Sequence, residues 1–575
     1  MERKSILKIL IILMFVCLFI GLVNLDLLQG GKFRRLSDSN CIRLISQSGA
    51  RGNILDRNGG VIVDSKISYD VMILPQELDQ LDRILAGISR ILEVEVKDLK
   101  SVFRKNYFSS SLPVTVASNI DLKKAIQLGE YKLEEPSIIV QPNPLRHYPY
   151  GTLAAHVIGY LNEIDRWRLT KLEDYGYKTK DIVGFGGVEE KYDYYLRQEE
   201  GGLSVEVNHR GKFMRVLGFE SPQNGRDIQL TLDLKIQKIA EENLSGRKGS
   251  IVVQDPQSGE VLAMANYPNF NPAVFVNKRT RLIAGLFNNP ESPLINRAIS
   301  SSYPPASIFK IVVAAAALEL KKINLSTNFL CRGSTMVGSR KFSCWDVHGL
   351  QDIIAALAHS CDIFFYKTGL LLGAQNIHDY ALKLGLGRSI GFELPYETSG
   401  FIPSPLWRKI NKFQNWFDGD TANLSIGQGD CLVTPLQAAN LVSVFANGGY
   451  LPTPYIIKSV GGLELSARKK KMYRLPFKKS TFEIIRRGLR EVVSDSKGTG
   501  NVLSGLDIAV AGKTGTAQVS RGATHAWFVG FFPYNKPKYA ICVFLEHGGP
   551  GHSASVIAKQ VIEAMIKQGL VEDQQ

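Results

Sequence analysis

An uninterrupted apolar run near the N-terminus most constrains what this 575-residue chain can form. The run extends from Ile9 to Val23 and continues as a leucine-rich stretch to Leu28, which approaches the ~20 residues that cross a bilayer as a helix. The first alanine of the chain is Ala50, so no small-residue cleavage site of a signal peptide follows the run. We therefore predict a tail at residues 1–8 and an uncleaved membrane anchor at residues 9–28.

The rest of the chain has the composition of folded domains tethered to that anchor. Hydrophobic residues make up 45% and charged residues 21% of the sequence, which is ordinary for globular proteins and excludes extended disorder. The net charge is +15, but the basic residues are dispersed and no zinc-finger or RNA-recognition motif accompanies them, so no nucleic-acid partner is expected. A basic surface that faces an anionic membrane or an anionic polymer fits this charge as well.

Turn-forming residues near residue 225 divide the tethered part in two. Residues 29–225 alternate extended and helical segments and contain no obvious pair of nucleophile and base, so we expect a scaffold. Residues 226–575 begin with a helix and a hairpin, continue through a helical middle, and end with a helix after several strands, including 507–511 and 515–519. A sheet formed by both ends of a segment, with helices between them, predicts an α+β domain with an antiparallel sheet.

The segment Tyr303–Val312 carries the first candidate for catalysis. A pair of prolines stops the chain, and an apolar run then predicts a buried helix with Ser307 in its first turn. Lys310 lies three residues further on, and residues i and i+3 share a helix face, so its amine can reach the serine hydroxyl. A serine hydroxyl needs such activation to act as a nucleophile. The Ser-x-x-Lys pattern alone is weak evidence, because it occurs at four other places in the chain.

Two later segments supply distant partners for Ser307. Ser360-Cys361-Asp362 precedes an apolar, helix-like run, and Lys513-Thr514-Gly515-Thr516 lies among small residues within a strand-like pattern. Small residues let the backbone of a bound peptide approach the edge of a strand. A second Lys-Thr-Gly, at Lys367, lies in a helix-like stretch and is expected to form a helix face instead.

These three segments, in this order, resemble the motifs of the penicillin-binding transpeptidases and the serine β-lactamases. Further segments resemble motifs of the class B penicillin-binding proteins, most of them from the N-terminal pedestal: Arg51–Gly59, Arg146–Gly151, Ala155–Tyr160, Gly184–Tyr192, Leu294–Ala298, Gly427–Gly429 and Thr434–Gln437. The resemblance covers nearly the whole chain. Asp362 and an insert rich in Cys and His point to the elongation-type branch of class B, the penicillin-binding protein 2 group. Ala306 departs from the family pattern, which has glycine before the nucleophile.

The resemblance implies a role for each residue of the acyl-transfer machinery. Ser307 is expected to attack the penultimate D-Ala carbonyl of a D-Ala-D-Ala stem peptide, with Lys310 as the base. Ser360 is expected to relay a proton between Lys310, Lys513 and the leaving group. Asp362 is expected to orient this cluster or the substrate. An amine from a neighbouring stem peptide then takes the acyl group.

The resemblance also implies how the substrate is bound. Lys513, Thr514 and Thr516 are expected to bind the terminal carboxylate along a strand that contains Gly515. The backbone N–H groups of Ser307 and Thr516 are expected to form the oxyanion hole, a type of site whose donors stabilise the charge that develops in the transition state. No cofactor is expected to be required for catalysis.

The predicted function is therefore peptidoglycan D,D-transpeptidation during cell-wall elongation and rod-shape maintenance, with acylation by β-lactams. The alternative is a septal class B transpeptidase, followed by a membrane-anchored β-lactamase or an inactive scaffold. The scaffold at residues 29–225 argues against a β-lactamase, and the three intact motifs argue against an inactive protein. No glycosyltransferase motif is present before residue 225, so a polytopic glycan polymerase is an expected partner. The expected location is the cytoplasmic (inner) membrane, single-pass, with the bulk of the chain periplasmic or otherwise extracytoplasmic.

The insert contains a group of soft metal ligands, spaced by 13, 4 and 13 residues: Cys331, Cys344, His348 and Cys361. Three Cys and one His form a known tetrahedral zinc site, and some relatives of the penicillin-binding protein 2 group carry such a site beside the active centre. We predict a structural zinc, with Asp346 as an alternative ligand. A Cys331–Cys344 disulfide in an oxidising compartment, or free thiols, are the alternatives. A metal on Cys361 would fix both of its neighbours in the Ser-Cys-Asp loop.

Overall fold

The computed structural model describes residues 2–32, 42–75, 80–107, 113–207, 213–465 and 472–571. The chain divides into two compact units, and both are discontinuous in sequence. The first unit consists of Met1–Gly52, Ser65–His147 and Arg197–Arg226, and the second consists of Asn53–Asp64, Tyr148–Leu196 and Asp227–Gln575. Two pieces of the predicted scaffold thus belong to the same compact unit as the C-terminal region.

The first unit begins with the predicted anchor. An α-helix covers Glu2–Val23, and a π-helical turn at Asn24–Leu28 extends it. The stretch Ile6–Leu27 is long and apolar enough to cross a membrane, and none of it is buried against the protein. Apolar side chains that no protein surface covers are stable inside a bilayer, so the helix is consistent with single-pass anchoring.

The remainder of the first unit contains two groups of antiparallel strands. In the first group, Gly201–Val207 pairs with both Ile42–Gln47 and Phe213–Glu220. In the second, the long strand Val61–Ile73, which belongs to this unit from Ser65 onward, pairs with Val114–Ile120 and with Ile138–His147. The helices of this unit that follow the anchor are Leu81–Leu92, Val96–Asn106 and Leu122–Glu134. Their buried apolar side chains share one core with those of the second group of strands.

An antiparallel sheet of five strands is the centre of the second unit. From one edge to the other, its strands are Val261–Tyr267, Gly249–Gln254, Tyr539–Leu545, His525–Phe532 and Ala511–Ala517. The first two strands form the predicted hairpin, and the other three come from the C-terminal end of the chain. The predicted α+β architecture is confirmed.

Helices cover both faces of the five-stranded sheet because its strands are apolar on both faces. Successive residues of a strand point to opposite faces, so Ile251 and Val253 lie in one core and Val252 lies in the other. The core that contains Val252 includes the helices Lys310–Glu319, Asp362–Leu372 and Pro435–Ala446. The opposite core includes Leu234–Leu244 and Gly551–Lys567.

Shorter elements complete the second unit. Its other helical segments are Ala155–Ile158, Arg166–Leu172, Glu173–Tyr175, Gly187–Lys191, Asp193–Leu196, Ala273–Val276, Thr280–Phe287, Ala306–Phe309, Ile353–Ala358, Ala374–Lys383, Pro405–Asn411, Asp418–Ser425, Lys479–Ser494 and Asn501–Leu503. Its other strands are Ile54–Leu55, Tyr160–Glu163, Ile182–Phe185, Ile228–Leu230, Phe329–Cys331, Ser334–Val337, Arg340–Ser343, Gly349–Gln351, Tyr450–Pro452, Ile457–Val460, Leu463–Glu464 and Met472–Arg474. Two of the predicted pedestal motifs meet in this unit, because Tyr160 pairs with Phe185 across adjacent strands.

The strand that carries Lys513 differs in extent from the expectation. The sequence indicates two strands, at 507–511 and 515–519, but the structure has one strand, Ala511–Ala517. It pairs with His525–Phe532 without a break. The glycines around Lys513 suggest a turn when the segment is considered alone, and pairing with the neighbouring strand overrides that local preference. Among the described residues this strand lies at the edge of the sheet.

Candidate active site

Ser307 lies in a short 3₁₀ segment, Ala306–Phe309, that continues directly into the helix Lys310–Glu319. The apolar side chains of both segments are buried in the core, and the Lys310 side chain is also fully buried. Ser307 itself is only half-buried. The serine is therefore attached to a rigid base while it keeps access to solvent.

Contacts with two distant segments fix the chain just before Ser307. Tyr303 and Val433 exchange two backbone hydrogen bonds of 2.9 Å. The indole Nε1 of Trp527 donates to the Pro304 carbonyl over 3.0 Å. The position of the serine thus depends on the central sheet and on the helical middle of the unit, and not on local helix propensity alone.

Ala306, the residue that departs from the family pattern, has a left-handed backbone with φ of 50°. This conformation is unfavourable by about 1–2 kcal/mol for a residue with a Cβ atom, and glycine adopts it freely. The Ala306 N–H donates to the Gly427 carbonyl over 2.9 Å. The two segments approach so closely that a Cβ atom on Gly427 would lie 2.3 Å from the Ala306 carbonyl oxygen. Glycine at position 306 would avoid strain that this chain retains, and Gly427 permits the close approach.

The Lys310 amine bonds to the Ser360-Cys361-Asp362 loop. Its Nζ lies 2.7 Å from the Ser360 carbonyl oxygen, 3.1 Å from the Ser360 hydroxyl and 2.7 Å from a carboxylate oxygen of Asp362. Among the described residues the Ser307 hydroxyl makes no hydrogen bond, so the contact that the i, i+3 spacing permits is not formed here. Hydrogen bonds between catalytic groups are often long before substrate binds.

The backbone conformation of this loop places the polar groups of Ser360 and Asp362 next to the Lys310 amine. Ser360 has a left-handed backbone with φ of 54°, a conformation that non-glycine residues adopt mainly at functional sites and turns. Its carbonyl and its hydroxyl can therefore both face the amine. Asp362 is the first residue of the helix Asp362–Leu372, where the helix dipole favours a negative charge.

Lys513 is a second fully buried lysine, on the edge strand Ala511–Ala517. Its amine donates to the Thr514 carbonyl over 3.2 Å. Burial holds the pKa of Lys513 well below its usual value, the positive charge of Lys310 lowers it further, and Asp362 acts in the opposite direction. The two lysines therefore influence each other electrostatically across the site, and Lys513 loses its proton more readily than an exposed lysine does.

The residues after Lys513 lie against the nucleophile segment. A Cβ atom on Gly515 would lie 3.2 Å from the Pro305 carbonyl oxygen, so the strand and the turn before Ser307 are in direct contact. Thr514 is buried, whereas Thr516 is exposed. The Thr516 hydroxyl accepts a 2.8 Å hydrogen bond from the N–H of Gly551, the first residue of a 17-residue helix. The structure thus brings all three predicted motifs together.

Two threonines outside the three motifs, Thr368 and Thr499, differ in their relation to the site. The second Lys-Thr-Gly lies within the helix Asp362–Leu372, as expected, where Thr368 donates to the Phe364 carbonyl over 2.8 Å. Thr499, which was not predicted, lies beside the site and contacts Thr514. The glycines on either side of Thr499 signalled a turn, but its contact depends on a strand that begins several residues later.

The four predicted metal ligands come together in one cluster, and their ligand atoms lie within 4.8 Å of one another. The Nδ1 atom of His348 lies 3.6 Å from the sulfur of Cys331 and 3.5 Å from that of Cys344. In a tetrahedral site with Zn–S of about 2.3 Å and Zn–N of about 2.0–2.1 Å, sulfur and nitrogen ligands are about 3.5–3.6 Å apart. Cys331 and Cys361 are buried. The cluster, defined as Cys331, Cys344, His348 and Cys361, therefore fits a structural zinc ion.

Two of the alternatives for this cluster, Asp346 as a ligand and a Cys331–Cys344 disulfide, differ from the observed geometry. The carboxylate of Asp346 accepts a hydrogen bond from the N–H of Val347, and Asp346 is not part of the cluster. The cysteines at positions 331, 344 and 361 are free thiols. A hydrogen bond between the Cys361 and Cys344 side chains lowers the pKa of Cys344 and raises that of Cys361. The pKa of Cys344 is thus shifted towards the thiolate, the form that binds metal.

The cluster also contacts the catalytic loop directly. The backbone N–H of Asp362 donates to the Cys344 sulfur over 3.3 Å. Cys361 contributes its sulfur to the cluster from between Ser360 and Asp362. Whatever holds the cluster together therefore also restrains the two residues that bond to the Lys310 amine.

The fold and the site define a serine acyl-transfer enzyme of the penicillin-binding type. A family model of the penicillin-binding protein transpeptidase domain matches residues 249–567, and one of the penicillin-binding protein dimerisation domain matches residues 46–230. The chain belongs to the penicillin-binding protein transpeptidase family, and the predicted membership in the elongation-type class B group is confirmed by its relatives.

Relatives of known name resemble the chain over nearly its full length. The peptidoglycan D,D-transpeptidase MrdA of Acinetobacter baumannii is 31% identical over 96% of this chain and 86% of that protein. Penicillin-binding protein 2 in complex with MreC from Helicobacter pylori has a TM-score of 0.81 and 28% identity, covering 92% of this chain and 99% of that one. A chain of a peptidoglycan synthase complex that coordinates polymerization and crosslinking has a TM-score of 0.74 and 27% identity, with 100% of both chains covered.

The left-handed Ala306 gives a prediction about stability. We expect Ala306→Gly to raise the free energy of unfolding by about 0.5–1 kcal/mol, because the relief of backbone strain exceeds the extra entropy of glycine in the unfolded chain. Thermal unfolding of the full-length protein in detergent measures the change. Ala314→Gly, in the helix that follows, is the matched control and should lower the free energy by about 0.5–1 kcal/mol. If both substitutions change the free energy of unfolding in the same direction, the proposed strain at position 306 is contradicted.

The lowered pKa of Lys513 gives a prediction about pH. Between the depressed pKa and the normal value near 10.5, the unfolded chain binds a proton at Lys513 that the folded protein does not, so the stability of the native protein rises with pH in this window. Lys513→Met removes this dependence. We expect the variant to exceed the native protein in unfolding temperature at pH 7, by a margin that narrows towards pH 10. Lys322→Met, at an exposed site, should show no such trend, and a margin independent of pH would refute the interpretation.

Proposed function

We propose that this protein is a peptidoglycan D,D-transpeptidase that crosslinks stem peptides during cell-wall elongation through a serine acyl-enzyme. The observation that carries the proposal is the buried Lys310 amine, which begins the helix directly after the Ser307 segment and bonds to Ser360 and Asp362. The similarity to MrdA over 96% of the chain supports peptidoglycan as the substrate. β-Lactams, which resemble the D-Ala-D-Ala end of the stem peptide, are expected to acylate the same serine.

In the proposed first step, the Ser307 Oγ attacks the carbonyl carbon of the penultimate D-Ala, and the bond to the terminal D-Ala breaks. Lys310 accepts the hydroxyl proton, and Ser360 passes a proton to the leaving amine, so that free D-Ala departs from an acyl-serine. In the second step, the amine of a neighbouring stem peptide attacks the acyl carbon, a new amide forms, and Ser307 regains its proton. Asp362 orients Lys310 throughout, a role supported by their 2.7 Å contact.

The edge strand Ala511–Ala517 is the proposed binding surface for the donor peptide, because an edge strand offers backbone groups to an extended ligand. The N–H groups of Ser307 and Thr516 bind the oxyanion, and the hydroxyls of Thr514 and Thr516 bind the terminal carboxylate. Lys513 completes this carboxylate site. An arriving carboxylate favours the charged form of a nearby lysine, so binding of the substrate is coupled to uptake of a proton by Lys513.

The elongation role rests on the similarity to MrdA and to penicillin-binding protein 2. The alternative is a septal class B transpeptidase, which would use the same site on another partner. A membrane-anchored β-lactamase would hydrolyse the acyl-enzyme rapidly, and an inactive scaffold would not form one. Fluorescent fusions of the full-length protein distinguish the elongation-type enzyme from the septal one, because the elongation role requires lateral-wall rather than septal localisation.

The anchor helix and the relatives suggest a cellular location and a partner for the protein. We propose that the helix at residues 9–28 holds the chain in the cytoplasmic membrane, with residues 1–8 inside and residues 29–575 outside. In this arrangement residues 29–225 form a pedestal and residues 226–575 form the catalytic domain. A polytopic glycan polymerase is the proposed partner, supported by the likeness to a chain of a synthase complex that coordinates polymerization and crosslinking.

We further propose that the Cys/His cluster holds a structural zinc ion, with Cys331, Cys344, His348 and Cys361 as ligands. The distances between His348 Nδ1 and two of the sulfurs support a tetrahedral site. When bound, the ion would fix the loop that contains Ser360 and Asp362 and would take no part in the acyl transfer itself.

A fluorescent penicillin tests the proposed reaction. We expect the full-length protein in detergent to form one stable covalent adduct, and Ser307→Ala to form none, because only an activated serine can attack the lactam. Ser245→Ala, which alters another Ser-x-x-Lys pattern at an exposed position, is the control and should label like the native protein. Rapid release of the hydrolysed drug would indicate a β-lactamase, and an unlabelled native protein would indicate an inactive scaffold.

Elemental analysis of protein purified under reducing conditions without chelators tests the zinc site. We expect about one zinc ion per chain in the native protein and little in Cys344→Ser, because a structural site needs all four ligands. Cys542→Ser, which removes a buried thiol outside the cluster, and Asp346→Asn should both retain the metal. A metal-free native protein refutes the proposal, and mass spectrometry then shows whether a Cys331–Cys344 disulfide is present instead.

A further inference from the structure

A cavity of about 520 Å³ lies in the second unit, and none of the proposed acyl-transfer residues lines it. Cavities of roughly 300–1,000 Å³ that combine aromatic side chains with a few polar groups are typical ligand sites. It is called the aromatic cavity here, and its walls include Trp167, Lys171, Tyr175, Lys191, Asp193 and Tyr194.

Three aromatic side chains of the aromatic cavity are exposed instead of buried. Trp167, Tyr175 and Tyr194 are 65%, 66% and 67% exposed, although burial of such large rings would be favourable. The Lys171 amine lies 3.6 Å from the centre of the Trp167 ring, so it holds this ring in place. Exposed rings grouped around a concave surface indicate a binding site.

The floor of the aromatic cavity is fixed by buried polar contacts. The Asp193 carboxylate accepts the Tyr177 hydroxyl over 2.6 Å and the Gly184 N–H over 2.9 Å. Tyr177 and Val183 are buried beneath the exposed rings and share a small apolar core. The cavity is therefore formed by the fold itself, which lowers the entropy cost of binding a ligand.

The charged groups of the aromatic cavity leave two lysines without an acidic partner. The Glu190 carboxylate is paired with Arg168 over 3.2 Å, and the Asp193 carboxylate is occupied by the floor contacts. Neither Lys171 nor Lys191 forms an ion pair with another described residue. Their ammonium groups can therefore donate hydrogen bonds to a ligand and attract its negative charge.

The wall of the aromatic cavity is connected to the nucleophile segment through Tyr396. The Tyr396 hydroxyl accepts from Arg168 over 3.1 Å and donates to Glu190 over 2.8 Å. Two residues further on, the Thr398 N–H donates to the Ile299 carbonyl over 2.9 Å, in the segment that leads to Ser307. A ligand in the cavity is thus held on the same compact unit as the catalytic serine.

We propose that the aromatic cavity binds the glycan strand from which the stem peptides extend, a polymer of N-acetylated amino sugars. Each sugar ring has an apolar C–H face that can stack on an exposed aromatic ring, and a rim of hydroxyl and acetamido oxygens that can accept from lysine. The carboxylates of the attached peptides match the positive charge of Lys171 and Lys191. A protein partner fits less well, because the centres of protein interfaces are depleted in lysine and acidic residues.

The inference rests on the proposed function for the identity of the polymer. A strand held in the aromatic cavity raises the concentration of its own peptides around the active site, as in other two-site binding. The cavity then contributes to the affinity for glycan-linked substrate and contributes nothing to the acyl transfer itself. Small substrates and β-lactams, which carry no glycan, should react independently of the cavity.

Binding of chitohexaose, a soluble N-acetylglucosamine oligomer, tests the site. We expect calorimetry to detect binding by the full-length protein in a detergent without a sugar headgroup. Trp167→Ala and Tyr194→Ala should each raise Kd about tenfold, because a stacking ring is lost, whereas Trp167→Phe should retain most of the affinity. Trp345→Ala removes an indole that is 59% exposed outside the cavity and should bind like the native protein.

Peptide-bearing glycan fragments test the role of the lysines. We expect Lys191→Gln to weaken binding of these anionic fragments more than binding of the neutral oligomer. The difference between the two ligands should shrink at high salt, because screening weakens interactions between exposed charges. An equal loss for both ligands at every salt concentration would contradict the assignment of Lys191 to the peptide carboxylates.

Kinetics separate this inference from the proposed function. For Trp167→Ala we expect benzylpenicillin to acylate the protein at the native rate, while the concentration of glycan-linked substrate that half-saturates crosslinking rises about tenfold. The maximal rate of crosslinking should not change. If Trp167→Ala does not fold, Tyr194→Ala takes its place, since its ring is equally exposed.

The possible results have distinct consequences. A native protein that benzylpenicillin does not acylate refutes the proposed function. A native protein that is acylated but binds neither chitohexaose nor the peptide-bearing fragments overturns the glycan site alone. Native affinity in both Trp167→Ala and Tyr194→Ala, or a loss in Trp345→Ala equal to theirs, also overturns it, because the glycan would then bind elsewhere.

Discussion

The burial of two lysine amines is the constraint on which the rest of the site depends. Lys310 and Lys513 are both fully buried, and an isolated charge in a protein interior is strongly unfavourable. Lys310 meets this constraint through the carboxylate of Asp362 and two oxygens of Ser360. Among its described contacts Lys513 has only the Thr514 carbonyl, and burial lowers its pKa well below the usual value. The two amines thus meet the same constraint of burial with different partners.

A positive charge on the buried Lys310 amine must be compensated by polar neighbours. This requirement explains several irregular features around it. The left-handed backbone of Ser360 lets one residue present both its carbonyl and its hydroxyl to the amine. Asp362 begins a helix, so its charge interacts favourably with the helix dipole as well as with Lys310. Ala306, the residue before the nucleophile, has the same left-handed backbone as Ser360. Strain of this kind persists only where the surrounding contacts over-determine the conformation.

The sequence predicted the chemistry of the site more fully than its geometry. The three motifs and the α+β architecture follow from local patterns: a Pro pair before an apolar helix, small residues along a strand, and hairpin signals. The strain at Ala306 could not be predicted, because it depends on Gly427, more than a hundred residues later. The single strand Ala511–Ala517 was missed because its extent is set by its partner strand.

The hydrogen-bond partners of the Lys310 amine also depend on long-range contacts. The spacing of Ser307 and Lys310 suggested a direct bond between them, yet in the described chain the amine is engaged by Ser360 and Asp362. These neighbours supply three oxygens that stabilise a positive charge on the buried amine. The adjoining charge of Lys513 opposes that stabilisation whenever Lys513 is protonated. The lysine that is proposed to recognise the substrate carboxylate is thus electrostatically connected to the proposed base, because a positive charge on either amine is unfavourable for the other.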